Sequence, residues 1–353
     1  MESTRETNGQ SLLMQRIADL DLRIEGSRVE RLREELYREL AARSVAFRPP
    51  LYLTDEWGCP DRTPLIGVPF YLADARLEDI EAEASGAIED DAEAMRYLRH
   101  ECGHAVNYAF RLYDDPEWQR LFGLFTSAYR ERYAADPLSR AHVRHILGWY
   151  AQKHPDEDFA ETFAVWLTPG LDWRSEYAGW PALAKLEYVE RVMRAHAGET
   201  VAVPEIHDDD RPVWAIEETV EELYRDQAHP LPIDDPRLID VGDLRRIFLA
   251  ADDAPAAEPA HAFLRRHYRE IVARIAYWTS EPPSLVRSLL DQLIVRVQQL
   301  ALRAGRLEAA TLIELTAYAM AVIMNYRATR MHPAARPRLK LVTHDARRDA
   351  ESG

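Results

Sequence analysis

Cysteine is scarce in this chain. Only two of its 353 residues are cysteines, Cys59 and Cys102, so we do not expect a framework of disulfide bonds. Such low cysteine usage fits the reducing cytoplasm. The N-terminal residues 1–6 are polar and charged, without the apolar run of a secretion signal. Both features predict a cytoplasmic protein.

Basic charge and long apolar runs are also limited. The chain has 44 Lys and Arg against 60 Asp and Glu, a formal net charge of −16 at pH 7. Nucleic-acid binding needs a basic surface, so nucleic acid is not an expected partner. The most apolar stretch, residues 309–324, contains Glu314 and is short for a bilayer. It therefore predicts a buried core helix, and no membrane partner is expected.

Glycine is limited to 14 residues, and several motifs that depend on glycine are missing from the sequence. No Gly-rich phosphate-binding loop, no Gly-x-Ser-x-Gly elbow and no Cys-x-x-Cys pair is found in the sequence. Nucleotide hydrolysis through a P-loop and serine hydrolysis on an α/β-hydrolase elbow are thus not indicated.

A His-Glu-x-x-His motif is the first feature that indicates a chemistry. It runs His100-Glu101-Cys102-Gly103-His104. Histidines four apart on a helix present both imidazoles on one face, and the Glu between them can act as general base on a water at the metal. Cys102 points toward the apolar side of the same helix, so we interpret it as a small buried residue rather than a ligand. The motif predicts a zinc hydrolase, against the alternative of a surface helix that carries two histidines by chance.

A second acidic motif follows some fifty residues later. The segment from His154 to Leu167 begins like a helix, with Pro155 at its first position and three acids at the positive end of the dipole. On its helical wheel Glu157 and Glu161 fall between apolar residues, where a carboxylate needs a cation or strong donors. Asp158 falls toward the outer edge. We interpret Glu157 as the third zinc ligand and Glu161 as the acceptor of a hydrogen bond from a ligand histidine; the alternative is helix capping by Glu157 and Asp158.

Other third ligands are tested by spacing. A metzincin would need Gly at position 107 and His at position 110, where this chain has Asn107 and Phe110, so that class is excluded. A site of three histidines that uses His142, His145 or His154 stays open.

Together the two motifs resemble those of the gluzincin metallopeptidases, particularly the catalytic domain of anthrax lethal factor and the bacterial zinc-binding metallopeptidases. The resemblance covers residues 98–167 and implies one zinc ion per chain, held by His100, His104 and Glu157 with support from Glu161. It also implies that Tyr150, seven residues before Glu157, assists the reaction. An edge strand before the metal helix, here residues 64–72, would bind the substrate backbone.

The chain is long enough for two domains. A polar, proline-flanked stretch at 203–212 predicts a boundary, with a zinc metallopeptidase domain at 1–205 and an all-helical domain at 206–331. Residues 1–10 and the tail 332–353 are expected to be disordered. The fold class is mainly α (α+β): a gluzincin-like domain with a small sheet, followed by an all-α domain.

Local patterns predict strands at 51–53 and 68–72 and helices at about 115–134, 138–151 and 155–167. The function that we predict is hydrolysis of peptide bonds by a metal-activated water, with Glu101 as general base and a peptide or protein as substrate. Two alternatives stay open: a narrow-specificity hydrolase that tailors one peptide or amide, and a non-catalytic zinc protein. The C-terminal helical domain is a candidate surface for a protein partner.

Overall fold

Helices account for most of the chain that this computed structural model describes, which comprises residues 12–85, 88–129, 133, 135–146, 148–227, 239–279, 281, 283–305 and 307–330. The chain divides into two compact units, Met1–Ile233 with Leu264–Gln292 and Asp234–Phe263 with Leu293–Gly353. The predicted mainly α class with a small sheet is confirmed. The predicted boundary at residue 205 stays a prediction, as does the gluzincin-like arrangement.

The helices and strands of the described residues are, in chain order, α1 (Arg28–Ala42), β1 (Leu51–Thr54), β2 (Ile66–Pro69), α2 (Ala75–Ser85), α3 (Asp91–Ala109), α4 (Pro116–Phe122), α5 (Pro155–Leu167), α6 (Trp173–Glu176), α7 (Ala182–Ala195), α8 (Val220–Gln227), α9 (Val241–Ile247), α10 (Ala260–Arg266), α11 (Tyr268–Thr279), α12 (Pro283–Gln299) and α13 (Glu308–Arg330). Short 3-10 turns include Phe70–Ala73 and Tyr150–Gln152.

The sheet consists of β1 and β2, which pair in parallel with Leu51 opposite Ile66. The first predicted strand is confirmed. The second begins and ends earlier than predicted. It ends at Pro69 because proline has no N–H for the ladder and the chain turns into a 3-10 helix at Phe70. On its other edge Gly67 exchanges two backbone hydrogen bonds with Gly58. The edge predicted to bind substrate backbone is thus already paired at Gly67.

Helices α3 and α5 pack against each other and hold the two sequence motifs in contact. Asp90 caps α3 by accepting from the Glu93 N–H, and His154 caps α5 by accepting from the Asp156 N–H. At the crossing, a Cβ on Gly103 would lie 2.7 Å from the Cα of Ala160. Only glycine permits this close approach, which brings the start of α5 over the histidines of α3.

Two predicted helices are largely absent. The helix predicted at 115–134 stops at Phe122, because Gly123 has φ 111°; residues 130–132 and 134 lie outside the described residues. Over 138–146 and 148–149 the chain forms turns instead of the helix predicted at 138–151. Gly148 and Trp149 have φ 84° and 55°, and this left-handed backbone ends any regular helix before Tyr150.

In the second unit, α13 contains the apolar stretch noted above. Among the described residues one helical segment, Glu308–Tyr326, is long and apolar enough to cross a membrane, judged by length and composition alone. Core helices of soluble proteins meet the same two criteria. In this segment, 33% of the apolar stretch is buried inside the protein. Buried Leu315, Ala319 and Ile323 mark one face, whereas Ile313 is 70% exposed. The predicted buried core helix is thus buried on one face only. The predicted disorder of 1–10 and 332–353 concerns residues outside those described.

Candidate metal centre

Three donor atoms from the two motifs converge. Nε2 of His100 and Nε2 of His104 lie 3.1 Å apart, and Oε2 of Glu157 lies 3.0 Å from the first and 3.2 Å from the second. All three residues are buried. We searched the described part of the chain for clusters of His, Cys, Asp and Glu side chains that could hold a metal ion, and these three residues form such a cluster.

The donor set fits zinc. Zinc binds imidazole nitrogen and carboxylate oxygen at about 2.0–2.1 Å in a tetrahedron, so its donors lie about 3.3 Å apart. The observed separations of 3.0–3.2 Å are close to that value. Two imidazoles and one carboxylate, which leave a fourth position open, are the protein ligands of many catalytic zinc sites. Whether the three residues bind zinc stays a prediction, with which the geometry is compatible.

His100 contacts Glu161, the carboxylate for which the sequence predicts a hydrogen bond with a ligand histidine. Nδ1 of His100 lies 2.8 Å from Oε1 of Glu161, and the other carboxylate oxygen of Glu161 accepts from the Ile146 N–H at 2.8 Å. Glu161 is fully buried. An Nδ1–H that donates to this carboxylate leaves the Nε2 lone pair free for a metal.

His104 is oriented by Asp156, a role that the sequence analysis missed. Nδ1 of His104 lies 3.0 Å from Oδ2 of Asp156, which also accepts from the Tyr108 hydroxyl at 2.5 Å. The other oxygen of Asp156 accepts from the Asn107 amide at 2.7 Å. Asn107, Tyr108 and His104 all lie on α3. This polar patch beside the motif was the signal in the sequence that a polar side chain from another helix packs there.

The charges of the cluster are strongly coupled. Burial lowers the pKa of His100, but hydrogen bonds with Glu157 and Glu161 outweigh it and raise the pKa to about 9. Burial likewise lowers the pKa of His104, and Asp156 raises it well above its ordinary value. Burial raises the pKa of Glu157, whereas the two histidines lower it well below its usual range. A buried carboxylate between two imidazoles is stabilised by positive charge, from a proton or a metal cation.

Glu101 differs from the other acids of the cluster. It is 8% exposed, and no described residue makes a hydrogen bond or ion pair with its carboxylate. Burial raises the pKa of Glu101, while the neighbouring histidines oppose that rise. The carboxylate therefore has the raised basicity, and the unused acceptor positions, that a general base needs.

Tyr150 lies beside the donors, in the 3-10 turn before α5. Its ring packs edge-on against His100, with centroids 5.5 Å apart, and its hydroxyl accepts from Lys153 Nζ at 3.2 Å. Burial raises the pKa of Tyr150, so its hydroxyl stays protonated at neutral pH and can donate a hydrogen bond. Its role in the reaction stays a prediction.

Tyr129 is a second tyrosine at the centre, and sequence reasoning missed it. Its hydroxyl donates to Oε1 of Glu157 at 2.5 Å, on the oxygen that does not face the histidines. Lys153 Nζ lies over the rings of both Tyr129 and Tyr150, at 4.4 and 4.9 Å from the centroids. Twenty-eight residues separate Tyr129 from Glu157, and no local pattern in the sequence links them.

The three alternative histidines have other partners. Nε2 of His145 lies 3.0 Å from the Arg96 carbonyl oxygen, and Nε2 of His154 lies 3.0 Å from the Ser127 carbonyl oxygen. His142 is 3.8 Å from Asp158, and burial together with Lys185 lowers its pKa to about 4. Among the described residues, none of the three histidines joins the converging donors.

Asp158 is buried, so its predicted position at the outer edge of α5 was wrong. It is 2% exposed, and Lys185 Nζ on α7 donates to its Oδ2 at 2.5 Å. Burial raises the pKa of Asp158 to about 7, against the effect of the lysine. The helical wheel of α5 alone gave no sign that α7 covers this side.

Comparison with known proteins agrees with this geometry. Residues 89–171 match the model of a family described as "Putative zinc-binding metallo-peptidase". Neither the curated proteins nor the solved structures gave a match. The matched segment is a minority of the chain, yet it contains all of α3 and α5 and hence both motifs. The match and the His100–His104–Glu157 cluster together support a zinc metallopeptidase family.

Proposed function

We propose that the protein is a zinc-dependent peptidase that hydrolyses peptide bonds in a peptide or protein. The observation that carries the proposal is the convergence of two imidazole nitrogens and one carboxylate oxygen beside Glu101, a buried carboxylate without a partner among the described residues. A protein that only binds zinc has no use for such a base. The low cysteine content, with both cysteines free, supports a cytoplasmic location.

In the proposed mechanism His100, His104 and Glu157 would hold one zinc ion. Bound there, zinc would act as a Lewis acid that lowers the pKa of water toward ~7 and polarises a carbonyl. Glu101 accepts the proton of the attacking water and then delivers it to the departing amide nitrogen. Burial raises the pKa of Glu101, which favours the protonated carboxyl that makes the second transfer.

The remaining residues orient these groups. Tyr150 donates its hydroxyl hydrogen to the carbonyl oxygen as negative charge develops, which favours the transition state over the substrate. Lys153, 3.2 Å from that hydroxyl, fixes its position. Glu161 and Asp156 hold the two imidazoles in the tautomer that directs Nε2 toward the metal.

A digest of a random peptide library by zinc-loaded protein tests the proposal. We expect cleavage that stops when a chelator removes the metal and returns when zinc is restored. Cleavage at a single sequence would indicate a hydrolase that tailors one peptide. Absence of cleavage by protein that contains about one zinc per chain would contradict the peptidase and favour a binding role.

A further inference from the structure

A cavity lies beside the metal helix α3. It has a volume of about 370 Å³ and is lined by Asp55, Glu56, Trp57, Pro69, Phe70, Tyr71, Glu81, Leu223 and Tyr224. Four of these side chains are aromatic and three are carboxylates, whereas none is Lys, Arg or His. A concave site of this size is in the range of specific ligand sites.

The aromatic walls are held in place by Glu89. One of its carboxylate oxygens, Oε1, accepts from the Trp57 indole N–H at 3.1 Å and from the Tyr71 hydroxyl at 2.9 Å. Both rings are thereby tied to a single carboxylate. The cavity is consequently a built feature with fixed aromatic faces rather than a gap between mobile side chains.

The chemistry of this cavity favours a cation. The faces of Trp and Tyr rings attract Lys and Arg groups, and carboxylates at the rim add Coulombic attraction. Two of the three carboxylates already interact with arginines that are not among the described lining residues: Arg211 lies 3.4 Å from Asp55, and Arg287 interacts electrostatically with Glu81.

The cavity is near the metal centre. The Trp57 ring lies 5.9 Å, centroid to centroid, from the ring of Tyr97 on α3. Tyr97 is one helical turn before Glu101 on the same helix, and such neighbours are about 5–6 Å apart. An extended peptide advances ~3.3 Å per residue, so only about three or four residues separate the scissile bond from the cavity.

We propose that this cavity binds the side chain of a lysine or arginine in the substrate, and so selects basic peptides for cleavage. The inference rests on the proposed peptidase function and adds a substrate class to it. The strongly acidic chain, with a net charge of −16, is complementary to such substrates.

A library digest followed by matched peptides tests the proposal. We expect the best-cleaved sequences to carry Lys or Arg within about four residues of the cut. Replacing that residue with norleucine should lower kcat/KM by ~10-fold, and high salt should shrink the difference. Cleavage that is indifferent to Lys, Arg or norleucine would overturn the inference while leaving the peptidase function intact.

Variants of the cavity carboxylates, called rim variants below, test whether the preference for Lys or Arg arises in this cavity. The double variant Glu56→Gln with Glu81→Gln should lower kcat/KM for the Lys peptide by ~10-fold and leave the norleucine peptide within ~2-fold. The matched control, Glu187→Gln on the exposed face of α7, should change neither. Equal loss for both peptides in the double variant would contradict the assignment.

Binding decides the case in which no peptide is cleaved. Calorimetry would compare Nα-acetyl-arginine amide with its uncharged analogue Nα-acetyl-citrulline amide, on the full-length zinc-loaded chain. Preference for the arginine compound that disappears in the rim variant would support the cavity even though the peptidase function failed. Equal binding of the two compounds, or binding of neither, would overturn the inference.

Discussion

Gly103 and Ala160 meet where the two motif helices cross: a Cβ on Gly103 would lie 2.7 Å from the Cα of Ala160 and 2.9 Å from its carbonyl oxygen. A glycine inside a helix lowers stability by about 1 kcal/mol relative to alanine. We attribute the glycine at this position of the metal motif to the tight packing against Ala160, which leaves no room for a Cβ. The close approach sets the distance between the histidines on α3 and Glu157 on α5.

The first prediction concerns this contact. Gly103→Ala should push α5 away from α3 and destabilise the fold by about 1–3 kcal/mol, even after the gain in helix propensity. Zinc affinity should fall as well, because Glu157 moves with α5. Thermal unfolding and zinc content measure the two effects. Gly58→Ala is the control, since its Cβ would meet no atom within 4 Å; a Gly103→Ala protein with unchanged stability and zinc content would contradict the account.

The second prediction concerns the two carboxylates that orient the histidines. Asp156→Ala and Glu161→Ala should each weaken zinc binding by ~10- to 100-fold, as loss of such partners does. The dissociation constant measured by chelator competition gives the result, with Cys102→Ala as a control that should keep wild-type affinity. Unchanged affinity in Asp156→Ala alone would show that His104 is held without Asp156.

The third prediction separates the two tyrosines. Tyr129→Phe removes the hydrogen bond to Glu157 and should lower zinc affinity by up to ~10-fold. Tyr150→Phe should leave zinc affinity unchanged and lower kcat by ~10²-fold, with little effect on KM. Zinc titration and steady-state kinetics on one cleaved peptide distinguish them. A loss of kcat in Tyr129→Phe together with a loss of zinc affinity in Tyr150→Phe would contradict this assignment and exchange the two roles.

How much of this centre can be predicted from sequence depends on distance along the chain. The spacing of His100 and His104 places both on one helix face, and Glu157 and Glu161 stand out as acids among apolar neighbours. Asp156 and Tyr129 are missed, because their partners belong to other segments. The prediction that Asp158 lies at the outer edge was wrong because a helical wheel of α5 alone does not include Lys185 on α7.

The loops explain the other failures. Residues 138–149 have a helical composition, yet the chain forms turns over 138–146 and 148–149, with left-handed backbone at Gly148 and Trp149. The turns present the Ile146 N–H to Glu161 and place Tyr150 against His100. In this segment the tertiary contacts with Glu161 and His100 outweigh the local propensity for helix.

The fourth prediction tests the boundary predicted at residue 205. Ile216 is fully buried in the same apolar cluster as residues of α3 and α5, and its carbonyl oxygen accepts from the Ala18 N–H at 3.0 Å. Ile216→Ala should destabilise the protein by about 2–5 kcal/mol. Val203→Ala, at a site that is 41% exposed, should change the free energy of unfolding by less than ~0.5 kcal/mol.

A chain ended after residue 205 should consequently unfold or lose zinc, because it lacks Ile216 and Val220 from that cluster. Chemical denaturation of the point variants and zinc content of the shortened chain provide the measurements. A soluble shortened chain with full zinc would support the boundary at 205 instead.

Glu101→Gln tests the central claim most directly, because it removes a proton acceptor and retains the size of the side chain. The measurement is turnover of a cleaved peptide by wild type, Glu101→Gln and the control Glu187→Gln, each with its zinc content determined. We predict about one zinc in all three proteins and a loss of ~10²- to 10⁴-fold in kcat for Glu101→Gln alone. Near-wild-type turnover by zinc-loaded Glu101→Gln would contradict the mechanism.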